Sequence, residues 1–168
     1  PALSDQRRIV DLVEAIDRTL EALASEHAAA DRLLSLLRDV PVAQMTTPLG
    51  DLATMRSGPS WKASDETAVP VDGATPVLGI SNTPAGHRLD LTVRKFVQGV
   101  PDSALRIGPS SLVMIRTNGN RGRIGNVYRT TREVDGYAVS AFQIAIQPHD
   151  PSLSSFLYWC LGARSAQK

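Results

Sequence analysis

Ile9-Val10-Asp11-Leu12-Val13-Glu14-Ala15-Ile16-Asp17-Arg18-Thr19-Leu20-Glu21-Ala22-Leu23 sets the architecture of the chain. From Ile9 onward, apolar or small residues return at Val13, Ile16, Leu20, Leu23, His27, Ala30, Leu34 and Leu37, in steps of four and three over four heptads. This is the a/d pattern of a coiled-coil helix, whose seam has to be covered by another helix. Ser4 suits the N-cap, and Asp5 falls in the first turn, where the helix dipole favours a carboxylate. No Gly or Pro interrupts the run before Pro41, which is expected to stop it. The spacing therefore predicts a helix over residues 4–40. At 1.5 Å per residue it is roughly 50 Å long, enough to serve as a ruler between two other things.

Outward from the helix, the 168 residues leave room for one compact domain over residues 41–168. A hydrophobic content of 42% with no low-complexity tract predicts a folded chain. The single cysteine, Cys160, excludes an internal disulfide framework and a multi-cysteine metal site, and it reads as a small buried hydrophobe on an apolar helix face. No apolar run is long enough to cross a membrane and no signal peptide is visible, so the expected compartment is the cytoplasm. The first residue is Pro1 rather than Met, which reads as a piece cut from something longer.

The net charge of +1 hides an asymmetry. Residues 1–40 carry five basic against eight acidic residues, a net of −3, whereas residues 56–132 carry eleven against five, a net of +6. A mildly acidic rod thus carries a basic domain, which suits a polyanion such as nucleic acid.

Along that domain, Pro41 to Pro48 reads as a linker, and Leu49, Leu52 and Met55 at helical spacing predict a short amphipathic turn. Residues 65–75 read as a loop. Strands are expected at Thr75–Ile80, Leu89–Val97, Ser111–Arg116 and Tyr137–Ile146, and a helix from Ser154, capped by Ser152 or Ser154. The class that follows is α+β, a long helix followed by a mixed or mostly antiparallel sheet.

Catalytic constellations are scarce. His27 lies on the helix seam, where it sets register or packs against a partner, and His149 lies in a surface turn. Asp150-Pro151-Ser152-Leu153 lacks the second proline and the aromatic of the Asp-Pro-Pro-Tyr loop of amino-methyltransferases. No cofactor or metal is expected, and nothing argues for an enzyme.

The strongest local signal is Arg116 to Asn126. Gly119, Gly122 and Gly125 let backbone amides approach a ligand, Arg121 and Arg123 suit phosphate or guanine, and Asn118 and Asn120 suit bidentate pairing with adenine. The alternative is a flexible hairpin whose arginines only solubilise it. A second candidate is Arg56-Ser57-Gly58-Pro59-Ser60-Trp61-Lys62, either a rigid basic turn that offers Arg56 and Lys62 to bases or a helix C-cap with a packing Trp. Arg94, Lys95, Arg129 and Arg132 are candidate phosphate contacts.

With these motifs in order, the chain resembles part of the specificity subunit of a type I restriction–modification system. Pro1, Gln6, Arg7, Ile9 and Val10 match the Pro-x-x-x-x-Gln-Arg-x-Ile-Val entrance of that family's spacer helices. Pro48-Leu49-Gly50-Asp51-Leu52 with Ser57-Gly58 is similar to the start of its target recognition domain, and Thr75 to Asn82 to its strand-and-turn. Gly108, Leu112 to Gly119 and Gly125 resemble its core, although Pro109 stands where the family often has Asp. Ser155-Phe156-Leu157-Tyr158-Trp159 matches the helix that follows. The family domain continues past the position of Lys168, so the resemblance implies one spacer helix and most of one recognition domain, from a specificity subunit or from a polypeptide fused to an N6-adenine methyltransferase.

The resemblance further implies a non-catalytic reader of double-stranded DNA, taking one half of a bipartite target. DNA methyltransferase (modification) subunits and a restriction/translocase subunit would do the chemistry, and a second conserved helix or a second copy would cover the seam. The reading from another class is a coiled-coil oligomerisation module with a non-specific basic nucleic-acid-binding domain.

Overall fold

The computed structural model describes residues 3–42 and 47–163. Pro1, the middle of the expected linker and the stretch up to Lys168 lie outside the described residues. Helix α1 (Leu3–Val42) is unbroken for 40 residues. Ser4 lies inside it rather than at its cap, and the helix runs one residue past Pro41. A proline φ is already helical, and its missing N–H and crowding of the preceding turn are felt least where the helix is ending anyway. All described side chains of α1 are exposed, including Ile9, Val13, Ile16, Leu20, Leu23, Leu34 and Leu37 of the seam. His27 lies 3.5 Å from Asp31 on the solvent side of a single turn, and Ala30 is likewise uncovered.

The domain is built from two four-stranded sheets. In the first, β1 (Ala53–Ser57) pairs with β8 (Gln143–Pro148), β8 with β5 (Leu112–Ile115) and β5 with β6 (Val127–Arg129), all antiparallel. In the second, β2 (Glu66–Thr67), β4 (Lys95–Gln98) and β3 (Ala74–Leu78) are antiparallel, and β7 (Ala138–Val139) joins β3 in parallel. The mixed, mostly antiparallel α+β class stands.

Strand alternation sorts the core into layers. Val113, Tyr128 and Ala145 of the first sheet meet Leu78 and Val139 of the second. On the other face Leu112, Val127 and Ile146 pack under Leu157 of α3 (Ser154–Leu161). Because both faces of β5 are covered, its sequence is a continuous apolar run rather than an alternating one. Trp61 covers the outer face of the second sheet over Val77, Val97 and Ala138.

Within the domain, several sequence expectations need correction. The helical turn α2 (Leu49–Leu52) ends before Met55, which lies in β1 opposite Ile146. The loop expected over residues 65–75 contains β2. The expected strand Leu89–Val97 shrinks to β4, because Asn82 gathers the preceding chain: its Nδ2 donates to Asp90 O at 2.8 Å and Val93 O at 2.9 Å. Leu89 and Leu91 then reach the core as loop residues.

The expected strand Tyr137–Ile146 is broken into β7 and β8, one in each sheet, by a turn in which Gln143 N donates to Ser140 O. Gly58 sits against this junction so closely that a Cβ there would lie 1.8 Å from Val139 O, which explains a glycine at that point. The 3-10 turn Pro151–Leu153 that leads into α3 is capped by Asp150, which accepts from Ser152 N at 2.9 Å, so neither Ser152 nor Ser154 is the cap.

Candidate nucleic-acid interface

Residues 116–126 join β5 to β6, and the loop is anything but slack. At its base Arg116 N and Thr117 N both donate to Phe142 O, at 2.9 and 3.2 Å, and Gly125 N donates to Ile115 O. Within it, Asn118 Oδ1 accepts from Asn120 N at 2.9 Å and Asn120 Oδ1 from Gly122 N at 3.0 Å, two successive Asx turns that wind the chain into a 3-10 turn at Arg121–Arg123. Gly125 closes the loop with φ +85°, the left-handed region.

These contacts redistribute the four residues that sequence offers for base reading. Bidentate pairing with adenine needs both the oxygen and the nitrogen of an amide. Asn118 and Asn120 each spend the oxygen on their own loop, and the Nδ2 of Asn118 is buried. Arg123 turns inward and donates through Nη2 to Ile80 O and Thr83 O, strapping the loop to the turn after β3. Arg121 is left exposed at the tip of this stiffened loop. A guanidinium there meets a groove or a phosphate from a backbone that is already ordered, so only its own side chain has to be fixed.

The second stretch meets the same Phe142–Gln143 turn. Arg56 lies on β1, with Nη1 3.5 Å from Ser103 O, and Gly58 N donates to Gln143 O. The Phe142–Gln143 turn therefore touches both basic segments. The stretch is a strand end followed by a loop, not a helix C-cap; its Trp does pack, and Lys62 beside it is exposed.

The remaining cations are spread out. Lys95 Nζ donates to Glu66 Oε2 at 2.6 Å, and Trp61 Nε1 donates to Glu66 Oε1 at 2.8 Å. Arg129 and Arg132 lie beyond the opposite end of the β5–β6 hairpin from Arg121, with Arg129 stacked 4.6 Å over the Tyr158 ring. Arg94 and Arg132 are exposed. The carboxylate and the inward guanidinium were not legible as a site, since their partners stand far apart in sequence: 29 residues separate Glu66 from Lys95 and 40 separate Arg123 from Thr83, whereas Trp61 lies only five residues from Glu66.

The bond from Lys95, followed by that from Trp61, holds the Glu66 carboxyl below its ordinary value of 4.5. A depressed folded value means stability that is present above the unfolded value and lost as pH falls through the folded one. Glu66→Gln is expected to cost about 0.5–1 kcal/mol at neutral pH after solvent screening. The gap in Tm between the variant and the wild type should hold down to about pH 4.5 and close below it. Thermal melts over that range check this; a gap that persists in acid would assign the effect to packing.

No protein-family model matches the chain, and no curated protein does. Its fold is shared with solved structures. The HsdS subunit from Thermoanaerobacter tengcongensis aligns over 96% of the chain at 20% identity with a TM-score of 0.53. The S subunit of a type I restriction–modification system from M. genitalium aligns over 98% at 16% identity with a TM-score of 0.51. A third structure, concerned with complex assembly and conformational transition of the type I R-M system, gives 96%, 18% and 0.54. The chain spans about two fifths of the length of each, 41–43%. Among the described residues no helix is long and apolar enough to cross a membrane.

Proposed function

We propose that this chain is one spacer helix and one target recognition domain of a type I restriction–modification specificity component, reading one half of a split DNA target. The observation that carries the reading is the joint alignment of rod and domain, over 96–98% of the chain, on S subunits. The basic charge of residues 56–132 and the rigid loop that carries Arg121 support it, since DNA contact needs cations and base reading needs a preorganised donor. In this reading the chain makes and breaks no bonds. Methyltransferase subunits and a restriction/translocase subunit act on the DNA it selects, and α1 sets the distance between half-sites.

The contacts divide by role. Arg121 reads a base edge, as do Arg56 and Lys62 of the second stretch, while Asn118, Asn120 and Arg123 shape the loop. Arg94, Arg129 and Arg132 meet phosphates, and Lys95 does so only as half of its pair with Glu66.

The test is selection from randomised duplexes with the complex reconstituted around this chain, expected to yield a split consensus. On that site Arg121→Ala should cost about 1–3 kcal/mol, with little loss on scrambled DNA. Neutralising Arg132 should weaken both alike and lower the salt slope by about one charge. No consensus, together with equal loss on both sequences, would favour the oligomerisation module with a non-specific basic domain, which the bare face of α1 also fits.

A further inference from the structure

Phe142 is 54% exposed, yet the turn that carries it is held by backbone hydrogen bonds to its neighbours. Its carbonyl accepts from Arg116 N and Thr117 N, and its neighbour Gln143 is fully buried. A lone exposed apolar side chain needs no explanation. This ring, however, forms part of the wall of a cleft of about 520 Å³ that also includes Trp61, Ile80, Ser81, Glu66 and Lys95. That volume lies within the range of small-molecule sites, and so does the make-up: mostly apolar walls with a few convergent polar groups. Lys95 spends one of its ammonium protons on Glu66, which leaves donors for a ligand, and the Glu66 carboxylate keeps spare acceptor capacity.

We propose that this cleft takes one nucleobase that has left the DNA stack, its flat face against Phe142 and Trp61 and its polar edge toward Lys95 and Glu66. The proposal rests on the DNA-binding reading above and adds a ligand site that is separate from the contacts of Arg121. Three features select this occupant. Aromatic walls match the face of any base, and stacking on them is tolerant of sequence. A paired cation and carboxylate offer both donor and acceptor to a base edge. The turn that carries Phe142 also holds the root of the basic loop, which ties the cleft to the segment that carries Arg121.

The experiment uses the whole chain and two labelled mixed-sequence duplexes, identical except that one carries a single bulged thymine. The wild type is expected to bind the bulged duplex about tenfold more tightly and to quench Trp61 as it does so, read in a Trp159→Phe background. Phe142→Ala should bring the two duplexes to equal affinity, Phe142→Tyr should keep the preference, and Phe156→Ala, an exposed aromatic on α3, should leave it intact. Equal binding of both duplexes by the wild type, or a preference that survives Phe142→Ala, overturns the cleft assignment and leaves the DNA reading standing. Binding of neither duplex at low salt overturns both.

Discussion

Replacing Leu20 and Leu23 together by aspartate is expected to turn a self-associated chain into a monomer whose long helix is largely lost. In the single chain these two side chains are 58% and 56% exposed, and Ile9, Val13 and Ile16 above them are 50–59% exposed. Such a stripe on a 40-residue helix gains nothing in water, and an isolated helix draws most of its stability from lateral packing. Fully burying an exposed leucine is worth about 1.5–3 kcal/mol, and just over half of each side chain is left to cover, so the four leucines of a symmetric pair contribute roughly 3–7 kcal/mol. Their loss lowers the association constant by at least about a hundredfold before the cost of desolvating four carboxylates is counted. On the reading proposed above, the cover is a second copy when the chain is alone and the other spacer helix when it is part of a longer parent. Sedimentation equilibrium with circular dichroism decides: a wild-type chain that is monomeric with its helix fully formed would remove the seam from the argument.

How far the sequence carried this architecture depended on how local each cause was. The heptads of α1 are read within one helix, and the fourfold apolar run Leu112–Ile115 speaks for a strand covered on both faces, as found. The strand breaks were not legible. Alternation through Tyr137 to Ile146 looks continuous until Gln143 is seen to open β8 while its side chain bonds residues just past the end of β3, and nothing near Leu89 announces that Asn82 will take two carbonyls of the following loop. In the candidate site the glycines and arginines drew attention to the right loop, but its chemistry was assigned by residue type. Asn118 and Asn120 stand two residues apart, the spacing of consecutive Asx turns, and that signal for a structural role was present in the sequence. The inward turn of Arg123 was not, since the carbonyl of Thr83 that it meets lies 40 residues away.

The junction that sequence missed is also where a single substitution should do most damage inside the domain. Gln143 is fully buried and uses its whole amide: Oε1 accepts from Ser140 N at 3.2 Å and Ser140 Oγ at 3.0 Å, and Nε2 donates to Gly79 O at 3.0 Å and Thr83 Oγ1 at 3.1 Å. Gln143→Leu keeps the volume and removes all four bonds. Ser140 N and Gly79 O each retain another partner, Leu78 O and Asn82 N, so their loss is partial, while the Ser140 hydroxyl is left buried without its acceptor. The expected cost is about 2–4 kcal/mol, within what a broken buried polar network costs. The same change loosens the turn on which Phe142 O holds Arg116 and Thr117, so DNA affinity should fall even under conditions where the domain stays folded. Chemical denaturation gives the first quantity, and duplex binding well below the unfolding midpoint gives the second. If Gln143→Leu lowers stability by that amount while paired and bulged duplexes bind as before, the junction serves the core alone and the rigidity of the basic loop comes from its own Asx turns.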